Sequence, residues 1–381
     1  MTPQYDVAVI GGGIVGLAHA LMASRRGLKV ILFERSPIAQ GASVRNFGMI
    51  WPIGQPAGEL YEVAMKSRDY WLMLRKEGVL EVEECGSIHL AHHQDELDLL
   101  TEFCEQGTHE CEMLSPREVL ERSPLANPTG LLGGMFSPTE LRVNPRVASA
   151  QIVDWLVKTQ GVEACFETQI ISIDENTIQS AGGKRWKADQ IVVCSGSDLQ
   201  TLYSEILENS GLKLCKLQML KSVAQPEIKS GTPHLASGLT LRHYSSFESC
   251  PSLEKLKRRI AEESPELDTF GIHVMTSTFP SGETILGDSH EYGDAITPFD
   301  KSEIDELMLR ELRKVFQLKD WTIQERWHGI YAKHPTLPVF EAKAEDGVQI
   351  FVGPGGAGMT MSFGLADRAW NNWTGVEKQN A

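Results

Sequence analysis

The chain has 381 residues, of which 36 are Lys or Arg and 51 are Asp or Glu, so its formal net charge is −15. This length allows two or three lobes of about 100–200 residues each, and the composition excludes a disordered or fibrous protein. So acidic a chain lacks the positive surface that binds a phosphate backbone, which disfavours a nucleic-acid partner. Seven cysteines without paired short spacings indicate reduced thiols rather than a disulfide framework.

The first forty residues predict a βαβ unit. Residues 7–10 are typical of a strand buried on both faces of a parallel sheet, an apolar stripe over 17–22 predicts a helix ending near Gly27, and 29–34 predicts a second strand. The apolar stretch 7–23 is interrupted by glycines, is shorter than the roughly 20 residues of a membrane span, and follows no basic leader. We therefore expect a soluble, cytoplasmic protein that does not contact a membrane.

The turn inside this unit carries the pattern Gly11-x-Gly13-x-x-Gly16, and Glu34 stands at the end of the second strand. The three glycines permit the tight turn, the approach of backbone to a pyrophosphate, and close packing of helix on strand. Glu34 is placed to accept hydrogen bonds from a ribose, which argues against the 2′-phosphate of NADP. The pattern predicts a dinucleotide site rather than a plain glycine turn, formed by Gly11, Gly13, Ile14, Val15, Gly16, Glu34 and Arg35.

The later elements leave this nucleotide-type lobe and return to it. Apolar spacing predicts a helix over 60–74, and residues 77–122, with 13 acidic side chains against two basic ones, predict solvated helical faces. This segment holds 11 of the 15 excess negative charges. Further elements are predicted in chain order: a helix opened by Asn144 and Pro145, strands over 170–173 and 190–194, a helix directly after Ser195–Ser197, helices over 252–263 and 301–316 with a β-like segment at 271–278 between them, and a strand over 349–352.

Two loops of small residues point to a cofactor larger than NAD. Residues 41–49 begin seven residues after Glu34 and can bring backbone against a large cofactor, for which a minimal NAD domain has no use. Residues 353–360 follow a strand and precede a helix predicted over 363–373. Their N–H groups could stabilise negative charge on a ring as it is reduced, although a second phosphate loop or a plain turn stays an alternative.

With these motifs in place, the chain resembles the FAD-dependent oxidoreductases of the glycine oxidase, sarcosine oxidase and D-amino-acid oxidase type. The matching segments occur in family order over nearly the whole chain: DVAVIGGGIVGLAHALMASRRGLKVILFER, GASVRNFGM, VNPRVASAQIVDWL, QIVVCSGSD, GDSHE and FVGPGGAGMT. The resemblance implies an α/β fold, α+β overall, with a doubly wound Rossmann-type FAD lobe and an antiparallel substrate sheet. The FAD lobe would comprise 1–76, 144–213 and 326–381, and the substrate lobe 77–143 and 214–325.

The resemblance also assigns cofactor contacts. The glycine turn and Glu34 would bind the ADP half, Ala42 and Ser43 the pyrophosphate, and the backbone at Ile170 the adenine. Ser195 and Gly196 would close on the nucleotide. The ring would be lined by Asn46, Phe47, Gly48 and Met49 and, at its pyrimidine end, by Gly355, Gly356, Ala357, Gly358, Met359 and Thr360.

Enzymes of this type oxidise a carbon–nitrogen bond: a hydride leaves the amine-bearing carbon for flavin, the imine hydrolyses to a carbonyl compound, and oxygen reoxidises the flavin. The resemblance implies catalytic roles for Asn46, Tyr331 and Lys333. Amino-acid oxidases generally carry an arginine in the segment equivalent to 329–333, and Tyr331 in its place argues against a bidentately held carboxylate. Segment 284–287 lacks the lysine that sarcosine oxidases place near flavin, and no cysteine adjoins Tyr331 in sequence, so we expect non-covalent FAD.

The segments WHGIYAKHP and CKLQMLKS are most similar to a bacterial subgroup associated with aminophosphonate breakdown. A phosphonate carries up to two negative charges and suits several donors, for which we predict Arg242, His243, Tyr244, Tyr331 and Lys333. Two alternatives stay open: a dehydrogenase that passes electrons to a carrier, and a flavin-binding regulatory protein without turnover. Modification of tRNA is disfavoured by the acidic balance.

The other histidines and cysteines predict no metal site. His92 and His93 lie in the acidic segment and are expected on the surface, while Cys104, His109 and Cys111 lack a fourth ligand. His290 and His328 lie near segments on the substrate side, and we expect them to be hydrogen-bonded structural residues. The oligomeric state is left open.

Overall fold

The structure is a computed structural model that describes residues 2–226 and 228–374. Its strands in chain order are β1 Gln4–Ile10, β2 Val30–Phe33, β3 Met49–Ile50, β4 Val82–Glu84, β5 Ser87–Ala91, β6 Glu112–Leu114, β7 Gly133–Ser137, β8 Leu141–Val143, β9 Glu163–Cys165, β10 Ile170–Asp174, β11 Thr177–Ser180, β12 Arg185–Val193, β13 Lys213–Ser222, β14 His234–Ala236, β15 Met275–Thr278, β16 Thr284–Gly287, β17 Glu291–Gly293, β18 Ile323–Lys333, β19 Phe340–Glu345 and β20 Val348–Val352. Its α-helices are α1 Ile14–Ser24, α2 Glu59–Lys76, α3 Gln94–Glu105, α4 Pro116–Arg122, α5 Pro145–Gln160, α6 Ser204–Glu208, α7 Leu253–Glu263, α8 Pro265–Thr269, α9 Ser302–Val315 and α10 Gly358–Thr374.

The first sheet forms the nucleotide-type lobe. Its strand order is β10-β11-β12-β1-β2-β9, and β20 pairs with β12 and with β19. The pairs of β1 with β2 and β12, of β2 with β9 and of β12 with β20 are parallel, as the continuous apolar runs predict. Helices α1, α2, α5 and α10 pack on one face. The α/β fold class predicted from the sequence is confirmed.

The second sheet is largely antiparallel and contains the main apolar core of the other lobe. Its order is β17-β13-β16-β15-β14-β5-β7-β6, with β18 also paired to β13, and a small sheet β3-β8-β4 pairs one strand of segment 1–76 with two strands of segment 77–143. Strands from both segments assigned to the substrate lobe, 77–143 and 214–325, therefore meet here. All of β18 pairs with β13, so the proposed boundary at residue 326 falls inside a strand, and we move it to residue 334.

Three local expectations need correction. No helix starts directly after Ser197: the Asp198 carboxylate accepts the N–H groups of Gln200 and Thr201, which holds a turn, and α6 begins only at Ser204. Helix α10 begins at Gly358 rather than at residue 363, so 358–360 are its first turn and not loop. The acidic segment is not wholly solvated, because Glu96 is buried and forms an ion pair with Arg259 of α7.

The helices predicted over 60–74, 252–263 and 301–316 correspond to α2, α7 and α9. Within residues 2–226 and 228–374, no helix combines the length and the apolar character needed to cross a bilayer.

Candidate active site

The glycine turn lies between β1 and α1 as predicted. Gly11 has a φ of 114°, and a methyl group on Gly16 would lie 1.9 Å from the Gly11 carbonyl oxygen, so both positions require glycine. Glu34 follows β2, and its carboxylate accepts the N–H groups of Gly12 and Ser36, each at 2.9 Å. The turn, the start of α1 and the acidic residue therefore meet at the carboxyl ends of the parallel strands, where open α/β sheets bind their ligands.

The loop 41–49 lies directly against this turn. The Ser43 hydroxyl accepts the N–H of Ile14 at 2.9 Å, which links the loop to the first turn of α1. The Asn46 side chain donates to the carbonyls of Ala42 and Ser43, and its oxygen accepts the N–H of Gly48. Since both of its N–H bonds are used within the loop, we propose that Asn46 orders the loop rather than acts on substrate.

Other predicted cofactor residues border the same region. The buried hydroxyl of Ser195 has no hydrogen-bond partner among the described residues, and Gly196, with a φ of 65°, faces open space. Arg35 forms an ion pair at 2.8 Å with Asp198 of the same loop. The side chain of Ile170 is buried in the core, which leaves only its backbone for the predicted adenine contact. An unpartnered hydroxyl and an open glycine beside the turn fit a bound nucleotide.

The second glycine-rich segment forms a short 3₁₀ turn, 355–357, that leads into the N-terminus of α10. The first N–H groups of a helix have no partner inside the helix, so this end can stabilise negative charge on a bound ring. Two of the predicted contacts are used inside the protein: the Thr360 hydroxyl accepts the N–H of Trp51, and the Met359 carbonyl accepts the indole N–H of Trp71. The electrostatic role predicted for the loop thus fits a helix N-terminus.

Tyr331 lies beside this turn. A methyl group on Gly356 would lie 3.5 Å from the Tyr331 hydroxyl oxygen, and one on Gly355 would lie 3.2 Å from Cγ of Lys333. Tyr331 is buried, and its burial raises the pKa of the phenol well above the ordinary value, so the hydroxyl stays protonated and can donate. The predicted pair Tyr331 and Lys333 therefore lies beside the 355–357 turn, and a role of these residues next to the ring stays a prediction.

A row of side chains runs outward from Tyr331 across three strands. Cys215 on β13 pairs with Tyr331 on β18 and with Tyr292 on β17, and the ammonium of Lys333 lies 5.9 Å from the centre of the Tyr292 ring. The sequence showed no cysteine beside Tyr331, yet the sheet register places Cys215 there. Burial raises the pKa of this thiol to about 11, so it is protonated and a poor nucleophile at neutral pH.

The row ends at three histidines from separate segments, His243, His273 and His290, which we call the histidine triad. One nitrogen of each ring lies within 4.8 Å of the others, and Asp288 Oδ1 lies 3.1 Å from His273 Nε2. Burial is the main cause that lowers the pKa of His290 to about 4 and those of His243 and His273 well below the ordinary value, so all three rings are neutral at pH 7. A cavity of about 600 Å³ opens against His243, His290 and Tyr292.

The remaining predicted substrate donors face elsewhere. The Arg242 guanidinium donates to the carbonyls of Leu239 and Ile272 and to the carboxylate of Asp268, and the Tyr244 hydroxyl donates to the sulfur of Met275. All three nitrogens of Arg242 are thus hydrogen-bonded within the protein, and we propose it as a residue that positions the adjacent His243. His328 hydrogen-bonds with Asp300, in line with its predicted structural role.

Sequence reasoning missed His273, Asp288 and Tyr292. The signal available was the neighbouring His290 in GDSHE together with His273 in the β-like segment 271–278, which become adjacent because β15 and β16 pair antiparallel. The sequence gives no register for that pair.

Comparisons with known proteins identify a family. The family described as FAD dependent oxidoreductase matches residues 6–369. Glycine oxidase of Geobacillus kaustophilus is 27% identical over 212 residues, which are 52% of this chain and 56% of that relative, so the chain spans about half the length of this curated relative.

Solved structures share the fold at low identity. The crystal structure of glycine oxidase from Geobacillus kaustophilus covers 100% of this chain and 96% of its own, with a TM-score of 0.75 and 18% identity. Dithionite-reduced L-alpha-glycerophosphate oxidase from Mycoplasma pneumoniae, with FAD bound, covers 97% and 95%, with a TM-score of 0.74 and 17% identity.

Proposed function

This chain belongs to the family of FAD dependent oxidoreductases, and on that premise we propose that it oxidises the carbon–nitrogen bond of a small anionic amine, an aminophosphonate or its N-methyl derivative. The resemblance read from the sequence, the oxidoreductase class and the FAD cofactor are confirmed by the family match. The substrate, the electron acceptor, non-covalent binding and a cytoplasmic location are parts of the proposal.

One observation carries the choice of substrate. Amino-acid oxidases of this type generally carry an arginine that clamps the substrate carboxylate. In the equivalent segment this chain has Tyr331, which lies beside the 355–357 turn, with Lys333 next to it. The wall behind them consists of neutral imidazoles and a second phenol, and the nearby Arg242 guanidinium is directed to Leu239, Ile272 and Asp268. Such a site suits an anion that accepts many single hydrogen bonds more than a bidentate carboxylate.

The overall reaction consumes the amine, one oxygen molecule and one water molecule. The substrate loses a hydride from its amine-bearing carbon and a proton from nitrogen, and the resulting imine takes up water and releases a carbonyl compound with ammonia or methylamine. The two electrons and two protons leave with oxygen as hydrogen peroxide. FAD, when bound, supplies the acceptor for the hydride.

The protein supplies position, charge and exclusion of water. Residues 11–16, Glu34, Ser43 and Ser195 would hold the cofactor, and the N-terminus of α10 would stabilise negative charge at its ring. The protonated Tyr331 hydroxyl donates to the substrate beside the turn, and Lys333 offers a cation at the mouth of the site. Bound substrate is thereby held in one orientation, which is where such enzymes gain most of their rate.

A peroxide assay tests the proposal directly. We expect the purified holoenzyme to release hydrogen peroxide with 2-aminoethylphosphonate or its N-methyl derivative, and much less with glycine or sarcosine. Turnover of the two carboxylates alone would overturn the proposed substrate. If the aminophosphonates bleach the flavin without oxygen but air then fails to restore its colour, the protein is the dehydrogenase alternative; bleaching by no amine would point to the regulatory one.

Variants of the two residues beside the turn refine the test. We expect Lys333→Met to raise the KM for the aminophosphonate at least tenfold, because one charge-assisted hydrogen bond is lost (about 1.4 kcal/mol or more). The matched control is Lys343→Met on β19, which removes an exposed lysine paired only with Asp346 and should leave kinetics unchanged. Equal effects of the two substitutions would refute a specific role for Lys333.

A further inference from the structure

Two of the three neutral imidazoles, those of His243 and His290, line the cavity, and the buried His273 ring packs against both. We infer that His243, His273 and His290, the histidine triad, form the subsite that binds the acidic group of the substrate, and that this subsite takes a tetrahedral phosphonate in preference to a carboxylate. This inference rests on the proposed function, because it names residues that select the substrate of the same site.

The triad is assembled from three separate segments. His243 follows the short 3₁₀ helix 238–242, His273 precedes β15, and His290 lies between β16 and β17. The ring centres are 4.3 Å apart for His243 and His273, and 5.0 Å apart for His273 and His290. Rings this close, each with one nitrogen within 4.8 Å of the others, can serve a single small ligand.

The protein holds one ring of the triad by a hydrogen bond and leaves nitrogens of the other two without a partner. His290 Nδ1 donates to the Gly271 carbonyl at 3.1 Å, whereas His273 Nε2 lies 3.1 Å from Asp288 Oδ1 without forming a hydrogen bond to it. By contrast, His273 Nδ1 and His243 Nε2 are buried and have no hydrogen-bond partner among the described residues. A buried polar nitrogen without a partner costs free energy, and a ligand that brings oxygen atoms would recover it.

The charges that face the triad favour an anion over a metal ion. Burial is the largest cause of the lowered pKa values of the three rings, and the positive charges of Arg242 and Lys333 lower these pKa values further. Both cations therefore lie close enough to act on the triad. Of the neighbouring carboxyl groups, Asp288 has its pKa raised well above the ordinary value by burial, which favours its neutral form.

The other two carboxylates at the cavity are neutralised. Asp268 is paired with Arg242 and Glu291 with Lys301, so neither brings net negative charge to the triad. Because Asp268 in turn offsets Arg242, Lys333 is the cation that remains to act on a ligand among the described residues, and it would repel a divalent cation and attract an anion.

The number and geometry of the donors select among anions. The single N–H of the neutral His290 ring is used on the Gly271 carbonyl, so His243 and His273 supply the free imidazole N–H donors. These two donors and the nearby ammonium of Lys333 match the three oxygens of a phosphonate, and Nε2 of His290 can accept the proton of its singly charged form. A planar carboxylate has two oxygens and is better served by an arginine fork. The triad also lies in line with the expected reaction centre, since the Tyr292 ring stacks 6.2 Å from His290 and its strand neighbour Cys215 adjoins Tyr331.

Calorimetric titration of the holoenzyme with ethylphosphonate, which carries no amine and cannot be oxidised, tests the inference. We expect the wild type to bind ethylphosphonate more tightly than propanoate, and His243→Asn and His290→Asn to weaken ethylphosphonate at least tenfold while propanoate changes little. His93→Asn is the matched control, because this exposed histidine occupies the N-cap position of α3, where asparagine is a preferred residue. FAD content and melting temperature of each variant show whether it is folded.

Several results would overturn the inference. It fails if the wild type does not bind ethylphosphonate, if folded triad variants bind it like the wild type, or if both anions weaken alike. It also fails if elemental analysis finds one zinc per chain that the triad variants lose, since the triad would then be a metal site. Failure of the proposed function looks different: no amine would bleach the flavin although ethylphosphonate still binds through the triad.

Discussion

Replacing Gly16 with alanine isolates the contribution of the glycine turn to cofactor binding. Intrinsic helix propensity alone would make the variant more stable by up to about 1 kcal/mol, because alanine is the best helix former and Gly16 lies inside α1. The structure predicts the opposite sign. The new methyl group would lie 1.9 Å from the backbone oxygen of Gly11 and 3.2 Å from Cγ1 of Val9.

Neither neighbour can move without a cost in free energy, because the Gly11 oxygen belongs to the backbone and Val9 lies in the core. The turn must move by about 1 Å to restore van der Waals distance, and overpacking of this kind costs about 1–3 kcal/mol. The same movement displaces the first N–H groups of α1, which would hold the phosphates. We therefore expect Gly16→Ala to lower the affinity for FAD at least tenfold, or about 1.4 kcal/mol, and to lower the free energy of unfolding of the apoprotein.

The assay is titration of apoprotein with FAD, followed by the loss of flavin fluorescence, together with urea unfolding. Gly182→Ala is the matched control: this exposed glycine lies in the turn between β11 and β12, and its nearest neighbour would be 3.9 Å away. If Gly16→Ala binds FAD and unfolds like the control, the turn is not the phosphate site described here.

Three further predictions concern stability and loop order. Burial raises the pKa of Glu140, so the stability that this group contributes is present below the ordinary carboxyl pKa and is lost as pH rises through the raised pKa. Urea unfolding at pH 5 and pH 8 should show that Glu140→Gln removes this loss of stability between the two pH values. Arg259→Leu should lower the free energy of unfolding by about 3 kcal/mol at pH 7, because Asp95 and the buried Glu96 lose their counter-ion, and an unchanged urea midpoint would contradict this. Asn46→Ala removes three hydrogen bonds inside loop 41–49, so the Kd for FAD should rise at least tenfold. The KM for the substrate, measured at saturating FAD, should stay near the wild-type value. A loss of kcat instead would restore the catalytic role first expected for Asn46.

The features that the sequence predicts correctly are local ones. The glycine turn, the adjoining strands and Glu34 lie within about thirty residues, and each glycine there has a steric reason that the pattern already contains. Helices α2, α7 and α9 follow from apolar spacing for the same reason. The FAD cofactor and the α/β class then follow from the family resemblance that these local matches support.

The features that it misses depend on sheet register and on distant partners. His273 and Asp288 come together across a strand pair, and Cys215 meets Tyr331 across 116 positions of sequence, neither of which has a local signature. The sequence predicts Arg242 as a donor to the substrate, and only the structure shows that it donates to the carbonyls of Leu239 and Ile272. The helix expected after Ser197 failed because one side chain, that of Asp198, satisfies the backbone in a turn instead.

The central claim is that this FAD-dependent enzyme removes hydrogen from the amine-bearing carbon of an aminophosphonate. It is tested most directly by mixing the oxidised holoenzyme with 2-aminoethylphosphonate without oxygen and following the flavin absorbance in a stopped-flow instrument, with and without deuterium on the amine-bearing carbon. The account predicts rapid bleaching that deuterium slows several-fold, and only slow bleaching by glycine at the same concentration. Bleaching by glycine but not by 2-aminoethylphosphonate or its N-methyl derivative, or by no amine at all, would contradict it.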